Sequence, residues 1–265
     1  MPDTLPRNIL PTDKSAAGIR AAYDLAVRRR SFFSARTTQA RYLERVRMWV
    51  ERLERGEVAE DEAVDALQKE LDALGYDPEK GGFPGDEGVP PAKAGDLRDL
   101  SSHSRISLVL RTNEVLGANL RRKAESAADP DLAADWPAWR LVRAGAPKEP
   151  RDWNVRWQNA GAAVGWEGAS RFEMVAHKNS PIWAALGEYG DDSTGSDCPP
   201  FAYNSTMDWE DVPREEAVAL GLLDEDEEIA LDFDGGMGDA EIAEALAGLS
   251  DEDAAALAEE LEQWA

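Results

Sequence analysis

Side chains that could perform covalent or metal chemistry are scarce in this chain. It has one cysteine, Cys198, and two histidines, His103 and His177, which lie far apart in the sequence. A zinc site needs several cysteine or histidine ligands, and nucleophilic catalysis needs a nucleophile beside a base. One cysteine also excludes an intrachain disulfide. The sequence therefore predicts no metal site and no cofactor, with Cys198 as a small buried or idle thiol.

Loops that would hold a phosphate group are also missing from the sequence. No GxGxxG or GxxxxGK[ST] pattern is present, and neither is the HExxH pattern of metalloproteases. The glycines at 235–238 indicate a hinge before a helix. We therefore expect no enzymatic activity.

Arginine is the residue type most concentrated near the N-terminus. Residues 1–56 carry 12 Lys and Arg against 6 Asp and Glu. Such a basic stripe attracts nucleic-acid phosphates or an acidic protein face. Equally, the arginines could decorate a solvated helix and pair with Glu44, Glu51 and Glu54. The residues predicted to contact a partner are Arg28, Arg29, Arg30, Arg36, Arg41, Arg45 and Trp49.

Charge is distributed very unevenly over the rest of the chain, whose formal net charge is −24. Residues 208–265 carry 21 Asp and Glu against one arginine, Arg214. An acidic segment of this kind repels nucleic acid and attracts basic partners. It is compatible with a solvated tail that keeps the protein soluble, or with an adaptor or DNA-mimic function towards a basic partner.

Two polar motifs in the centre of the chain favour structural functions. The first is RTNEVLGANLRR at 111–122 on a predicted helix, where Arg111 and Asn113 are expected to belong to a polar network within the core. The second is PRDWNVRWQNAG at 150–161, where the spacing of Arg151, Trp153, Arg156 and Trp157 permits guanidinium–indole stacking, and Trp153 and Trp157 share one helix face. Seven of the nine tryptophans lie between 136 and 209, which is typical of a core or of an anchor for a partner surface.

Hydrophobic spacing predicts an α+β protein with four regions. These are a basic helical arm at 1–74, a Gly/Pro-rich linker at 75–100, a small Trp-rich α+β core at 101–222 and an acidic helical tail at 223–265. No apolar run approaches the roughly 20 residues that span a bilayer, and no signal peptide pattern begins the chain, so we expect an intracellular protein without membrane contact.

Apolar residues at steps of three and four predict the elements within these regions. A helical stripe runs from Ser15 to Leu53, and a further helix covers Ala59 to Leu74. One long helix from about Ser102 to Ser126 is favoured over a strand followed by a helix. The remaining predictions are strands at Trp139–Arg143 and Phe172–His177, a short helix at 213–222, and a last helix from about Asp239 to Trp264 or two shorter ones in its place.

Four segments follow one another in the centre of the chain: RISLVLRTNEVLGANLRRKA, PAWRLVRAGAPKEPRDWNVRW, HKNSPIWAALGEYG and CPPFAYNSTMDWEDV. In this order they resemble the phage Mu F-like minor head proteins, the head morphogenesis family. The likeness covers roughly residues 102–212. The residues that match the family motifs are Arg111, Thr112, Asn113, Arg151, Asp152, Trp153, Trp183, Pro199 and Pro200.

The chain departs from the family pattern at two places. Trp157 stands where the family often has a histidine after the arginine turn, and Asn204 and Ser205 stand where it often has cysteines. Functions tied to those histidine and cysteine positions are therefore not carried over.

The resemblance implies a non-enzymatic phage or prophage protein that acts in head assembly. Its implied partners are the portal protein and other head proteins, with packaged double-stranded DNA as a further partner of the basic arm. The implied location is the host cytoplasm during assembly and then the virion head. Since related domains are sometimes fused to toxins, an enzyme is the alternative, with Arg111, Arg151, Glu173 and His177 as its polar candidates.

Overall fold

The computed structural model describes residues 7–86, 89–146, 151–170, 172–227, 229 and 231. These residues form two compact units, 7–114 and 115–231, and the boundary between the units falls inside one long helix. The fold class is α+β, as predicted, because helices predominate and the strands form only small sheets.

The first unit is mainly helical. Its elements are β1 (Asn8–Ile9), α1 (Ala16–Ala22), α2 (Leu25–Arg30), β2 (Ser31–Phe32), α3 (Ala40–Glu54), α4 (Glu60–Ala73), a 3₁₀ turn at Pro78–Lys80 and the first part of α5 (His103–Ala128). Strands β1 and β2 pair in parallel, with Ile9 opposite Phe32.

The predicted helical stripe from Ser15 to Leu53 is broken into three helices, which corrects the sequence interpretation. Helix α1 ends where Tyr23 adopts an extended conformation, and the Asp24 carboxylate then accepts a hydrogen bond from the Val27 amide to cap α2. Aspartate favours this N-cap position because its side chain satisfies an amide that has no helical partner. Periodicity alone registers the apolar steps on both sides of such a cap and misses the break.

Helices α3 and α4 build the core of the first unit by burying their apolar faces in one cluster. Helix α4 confirms the helix predicted from Ala59 to Leu74 within one residue at each end. The fully buried side chains on the two helices are Tyr42, Leu43, Val46, Val50, Ala63, Val64, Leu67 and Leu71.

The segment at 75–100, predicted as a Gly/Pro-rich linker, contributes Phe83 and Leu100 to this core, although more than half of its described residues are exposed. Phe83 and Leu100 are each only 5% exposed and belong to the same cluster as α3 and α4. The Tyr76 hydroxyl accepts a hydrogen bond from the Leu100 amide at 2.9 Å, and its ring lies 5.2 Å from that of Phe83. The glycines and prolines of this segment turn the chain so that its aromatic residues Tyr76 and Phe83 reach the core.

The second unit combines helices with a three-stranded antiparallel sheet. Strand β3 lies at the centre of this sheet, between β4 and β5. The elements are the second part of α5, then α6 (Pro130–Asp135), β3 (Ala138–Arg143), α7 (Trp153–Ala163), a 3₁₀ turn at Glu167–Ser170, β4 (Val175–His177), α8 (Ile182–Glu188), β5 (Met207–Val212) and α9 (Arg214–Ala219).

Most predicted elements of this unit are present. Helix α5 is one continuous helix, both predicted strands exist, and α9 begins immediately after Pro213. Strand β5 was not predicted as a separate element. The acidic tail at 223–265, with its last helix, lies outside the described residues except for 223–227, 229 and 231. Among the described residues, no helix is both long and apolar enough to cross a membrane.

Burial of Phe83 makes the 75–100 segment part of the first unit's stability. We predict that Phe83→Ala lowers the free energy of unfolding by about 3 kcal/mol, because it removes a buried aromatic side chain and leaves a cavity. Urea denaturation followed by circular dichroism measures this change. In the same segment Leu97 is 51% exposed, so Leu97→Ala serves as the matched control and should change stability by less than about 0.5 kcal/mol. Equal effects of both variants would contradict the packed arrangement.

Candidate functional site

The centre of the second unit is a cluster of aromatic rings. Trp139 and Trp209 stack with ring centroids 3.7 Å apart and planes 11° from parallel. Trp183 meets both of them edge-on, at 6.2 and 5.5 Å, and also lies against Trp157 and Phe201. Edge-on and offset contacts between aromatic rings add to the stabilisation from burial alone. All five rings are at most 4% exposed. For these residues the interpretation as a core therefore holds, rather than the interpretation as an anchor for a partner surface.

Short helices position the rings that the strands do not carry. The Asp152 carboxylate caps α7 by accepting from the Val155 amide at 3.0 Å, and this places Trp153 and Trp157 one turn apart on the buried face. Helix α8 carries Trp183, whose indole N–H donates to the His177 carbonyl at 2.8 Å. The predicted sharing of one helix face by Trp153 and Trp157 is confirmed.

A clamp of two arginines on one carboxylate lies beside α7. Arg151 Nε donates to Asp192 Oδ2 at 2.7 Å, and Arg156 Nη1 and Nη2 donate to the two Asp192 oxygens at 3.1 and 3.0 Å. Arg151 also donates to the Tyr203 carbonyl at 2.7 Å, and Arg156 donates to the Tyr189 carbonyl. These bonds fix the loop that follows α8. The bidentate geometry at Asp192 uses the fork of the guanidinium group, which lysine cannot reproduce.

Stacking of arginine on an indole ring is also present at this clamp. The Arg156 guanidinium lies 4.9 Å from the centre of the Trp153 ring and 5.3 Å from that of Tyr189. Arg156 is 6% exposed. Its charge is therefore held between two aromatic faces and the Asp192 carboxylate, which compensates for the cost of taking it out of water.

Asp192 stays ionised because of this clamp. Burial by itself raises the pKa of its carboxyl group, but the hydrogen bonds and positive charges of Arg156 and Arg151 together outweigh burial and hold the pKa below its usual value.

A second carboxylate, Asp211 on β5, joins three elements of the unit. It accepts from Arg122 Nη2 on α5 at 2.5 Å and from the Trp139 indole N–H on β3 at 2.9 Å. Lys178 Nζ approaches the same carboxylate at 3.0 Å and also donates to the Ser126 hydroxyl at 3.0 Å. The Arg122 guanidinium donates in addition to the Trp209 carbonyl at 2.7 Å. One carboxylate thus connects the sheet, the long helix and the aromatic cluster.

Lys178 is an unusually buried cation, 2% exposed, whose ammonium group lies 5.2 Å from the centre of the Trp139 ring. Burial lowers the pKa of Lys178, and the bond to Asp211 opposes this effect. For Asp211, burial raises the pKa, but the bonds and charges of Arg122 and Lys178 prevail and hold the pKa below its usual value. The ion pair between Lys178 and Asp211 therefore opposes the effect of burial on the pKa of both groups.

A tightly packed loop at 193–202 covers the aromatic cluster. It contains a cis peptide bond between Pro199 and Pro200, and the Phe201 ring contacts both Trp183 and Trp209. A Cβ atom on Gly187 of α8 would lie 1.6 Å from the Ser196 carbonyl oxygen, so only glycine permits this approach. Cys198 is fully buried in this loop, as expected for a small apolar residue.

Positions from the resemblance to the head morphogenesis family fall into both units. In the first unit, Asn113 accepts a hydrogen bond from Arg7 at 2.9 Å, which places it in a buried polar contact, and Thr112 beside it on α5 is half-buried. Arg111, which was predicted to join a polar network within the core, is instead exposed, and its Nε donates to Glu60 at 2.7 Å on the surface. The second unit holds the remaining motif residues, which are Arg151, Asp152, Trp153, Trp183, Pro199 and Pro200.

Polar side chains that were candidates for catalysis have structural partners in the second unit. Arg151 belongs to the clamp on Asp192, and His177 Nε2 lies 2.8 Å from the Leu222 carbonyl, to which it donates. Glu173 is exposed, on a turn where its φ of 40° and that of Met174 (60°) are both positive. No nucleophile beside a base is formed by these residues.

Arginines of the predicted basic arm differ greatly in exposure. Arg28 is 7% exposed and donates to the Arg20 and Tyr23 carbonyls, each at 3.0 Å, so it binds the chain itself rather than a partner. Arg29, Arg30 and Arg36 are half-buried. Only Arg41 and Arg45 of the predicted set are exposed, both on α3, and the Trp49 ring on the same helix is half-buried.

Several residues that organise the unit were not predicted as a group. Asp192, Asp211 and Lys178 come from separate segments, and pairing them requires the register of the sheet and the path of the loop. A signal did exist in the sequence. Asp211 lies two residues after Trp209 on β5, so the two side chains share one face of the strand. An acid on the inward face of a strand requires a cation or a hydrogen-bond donor opposite it.

Within the described ranges, no group of three or more His, Cys, Asp and Glu side chains is arranged to hold a metal ion. Comparison with family models, with curated proteins and with solved structures found no match to this chain.

Asp211 should contribute strongly to stability. We predict that Asp211→Asn lowers the free energy of unfolding by about 2–3 kcal/mol, because Lys178 and Arg122 lose the carboxylate that neutralises them. Thermal and urea unfolding measure the change. The matched control is Glu210→Gln, an exposed neighbour on the same strand, which should have little effect. A loss for Asp211→Asn no larger than that for the control would refute this assignment.

Because the pKa values of Asp192 and Asp211 are lowered in the folded protein, the free energy of unfolding depends on pH in the acidic range. A carboxylate with a depressed pKa in the folded state contributes stability that is present above its unfolded pKa, about 4, and is lost as the pH falls through the folded pKa. We therefore predict a steep loss of stability below about pH 4. In Asp192→Asn the unfolding free energy should be lower at pH 7 and should fall less steeply in acid. Parallel pH profiles of the variant and the natural chain would show that the clamp does not cause this dependence.

Proposed function

We propose that the chain is a non-enzymatic phage or prophage minor head protein that associates with the portal and acts in head assembly. The observation that carries this proposal is the position of the motif residues in the second unit. Trp153 and Trp183 belong to the aromatic core, Arg151 and Asp152 organise α7 and the loop after α8, and Pro199–Pro200 shape the loop that covers the core.

A scaffolding function follows from how these side chains are used. A reacting group must be accessible to substrate and must have a neighbouring group suited to transfer a proton. Here Arg151 and Arg156 form ion pairs with Asp192, and Lys178 and Arg122 form ion pairs with Asp211. Networks that are satisfied internally hold a unit in one shape, which suits a protein that presents a surface to other proteins.

The location and partners belong to the same proposal. The chain is made in the host cytoplasm, binds the portal and other head proteins, and remains in the virion head. Its basic arm contacts packaged double-stranded DNA. The proposal requires no cofactor.

Incorporation into particles tests this function directly. We predict that particles purified from cells producing a tagged chain contain it together with the portal protein, as measured by mass spectrometry of gradient-purified heads. Trp183→Ala, which removes the ring at the centre of the aromatic cluster, should reduce incorporation about tenfold or more, since this loss destabilises a core by about 3–5 kcal/mol.

The control for this experiment is Val155→Ala, which shortens a side chain on α7 that is 47% exposed. It should leave incorporation unchanged. Absence of the natural chain from purified heads would refute the proposed function, and incorporation of Trp183→Ala at the natural level would refute the importance of the second unit for it.

A further inference from the structure

One face of α3 displays four arginines in a line. Arg41, Arg45, Arg52 and Arg55 follow one another at steps of four, seven and three residues, so they share a single helix face. Arg41, Arg45 and Arg55 are exposed and Arg52 is half-buried. We call this set the α3 arginine face. From Arg41 to Arg55 the chain rises by about 21 Å along the helix axis.

Burial of the opposite side directs this face towards solvent. Tyr42, Leu43, Val46 and Val50 occupy the other side of α3 and are at most 4% exposed within the core of the first unit. A helix cannot rotate without exposing such residues, which would cost several kcal/mol. The orientation of the arginines is therefore fixed by the core rather than by their own contacts.

Two glutamates that flank the face form ion pairs with an arginine outside it. Glu44 and Glu51 both pair with Arg47, which lies on a different side of α3, at 2.5 and 4.0 Å. They consequently compensate the α3 arginine face less than their number suggests.

Ion pairs with nearby carboxylates hold three of the four arginines of the face. Arg52 and Arg55 share one acid, Glu57, at 3.5 and 2.5 Å, and Arg41 pairs with Glu70 at 3.2 Å. Arg45 makes a long contact, 4.0 Å, with the sulfur of Met48. Exposed pairs of this kind contribute little, so an anion with higher charge density displaces the carboxylates.

Arg52 is held ready for an anion. Its guanidinium group lies over the Trp49 ring, 4.5 Å from the ring centre. Stacking on an indole restricts the side chain and leaves the edge of the guanidinium fork available for hydrogen bonds. Less conformational entropy is then lost when it binds a phosphate than when a free arginine does.

We infer that the α3 arginine face is a binding surface for the phosphate backbone of a nucleic acid, without base specificity. A duplex offers one negative charge per about 1.7 Å of axis, so every guanidinium along a straight helix finds a phosphate within reach. An acidic protein surface would have to match the same spacing by a particular arrangement of carboxylates. This inference deepens the proposed head function, on which it rests for DNA as the ligand, and assigns the contact to α3 rather than to Arg28, Arg29 and Arg30 of α2.

Salt dependence of DNA binding by the purified chain tests the inference. The probe is a short blunt-ended DNA duplex of mixed sequence, and its dissociation constant is measured by fluorescence anisotropy over a series of NaCl concentrations. For the variant Arg41→Ala/Arg45→Ala/Arg52→Ala we expect affinity at low salt to fall about tenfold or more. We also expect the slope of log affinity against log salt to become shallower by about 2 to 3, since each phosphate contact contributes about 0.9.

Two control variants distinguish the effect of where the arginines lie from the effect of the total charge of the chain. The variant Lys69→Ala/Lys93→Ala/Arg98→Ala removes the same charge from exposed positions of the same unit and should leave the slope unchanged. The variant Arg41→Lys/Arg45→Lys/Arg52→Lys retains the charge and should keep most of the slope. Circular dichroism melting of all variants shows whether each is folded.

The acidic end of the chain enters the experiment as a second arm. A chain that ends at residue 231 keeps every described residue and lacks the 11 carboxylates beyond it. DNA binding by this shorter chain supports the inference, whether or not the full chain binds, if Arg41→Ala/Arg45→Ala/Arg52→Ala made in the shorter chain abolishes that binding. Lack of binding by both chains overturns it, and so does equal loss of slope in the two alanine variants or equal competition by poly-glutamate at the same charge concentration. Particle incorporation is scored separately, so failure here leaves the head function standing.

Discussion

Neutralisation of buried cations is the constraint on which the second unit depends. Asp211 receives Arg122 from α5, Lys178 from the end of β4 and the Trp139 indole from β3. An ammonium group as buried as that of Lys178 costs several kcal/mol unless a carboxylate lies beside it. The fold therefore requires β5 in the register that places Asp211 opposite Trp139, and this register also stacks Trp209 on Trp139. Electrostatics and aromatic packing select the same arrangement.

Similar contacts recur where other charged groups leave water. Arg156 lies between two aromatic rings and Asp192, and its hydrogen bonds hold the loop after α8 against α7. In the first unit, burial lowers the pKa of Arg7 to about 10, and its guanidinium donates to Asn113 and lies 4.9 Å from the centre of the Phe32 ring. Each of these arginines joins segments distant in sequence. Charged side chains thus contribute to the specificity of the fold as well as to its solubility.

Sequence patterns predicted the helices and strands better than they predicted the contacts between side chains. The α+β class, the long helix α5 and the strands β3 and β4 follow from periodicity, and the spacing of Trp153 and Trp157 placed them on one helix face. Breaks at caps were missed because periodicity ignores a single extended residue such as Tyr23. The packed segment at 75–100 was missed because glycine and proline mark turns without saying whether a turn is exposed. Partners such as Asp192 for Arg151 depend on the path of a loop, which local patterns do not contain.

The number of basic residues in the sequence of the basic arm overstates how many arginines are available to bind a partner. Residues 1–56 have an excess of cations, yet Arg28 binds backbone carbonyls within its own unit and Arg47 is occupied by Glu44 and Glu51. What remains directed outward is set by the rotation of α3, and that rotation is set by Leu43, Val46 and Val50 in the core. An arginine whose direction is fixed by packing loses little freedom when it meets an anion, whereas one on a mobile arm must be ordered first. The apolar residues of α3 therefore decide which arginines are available for binding, although none of them carries charge.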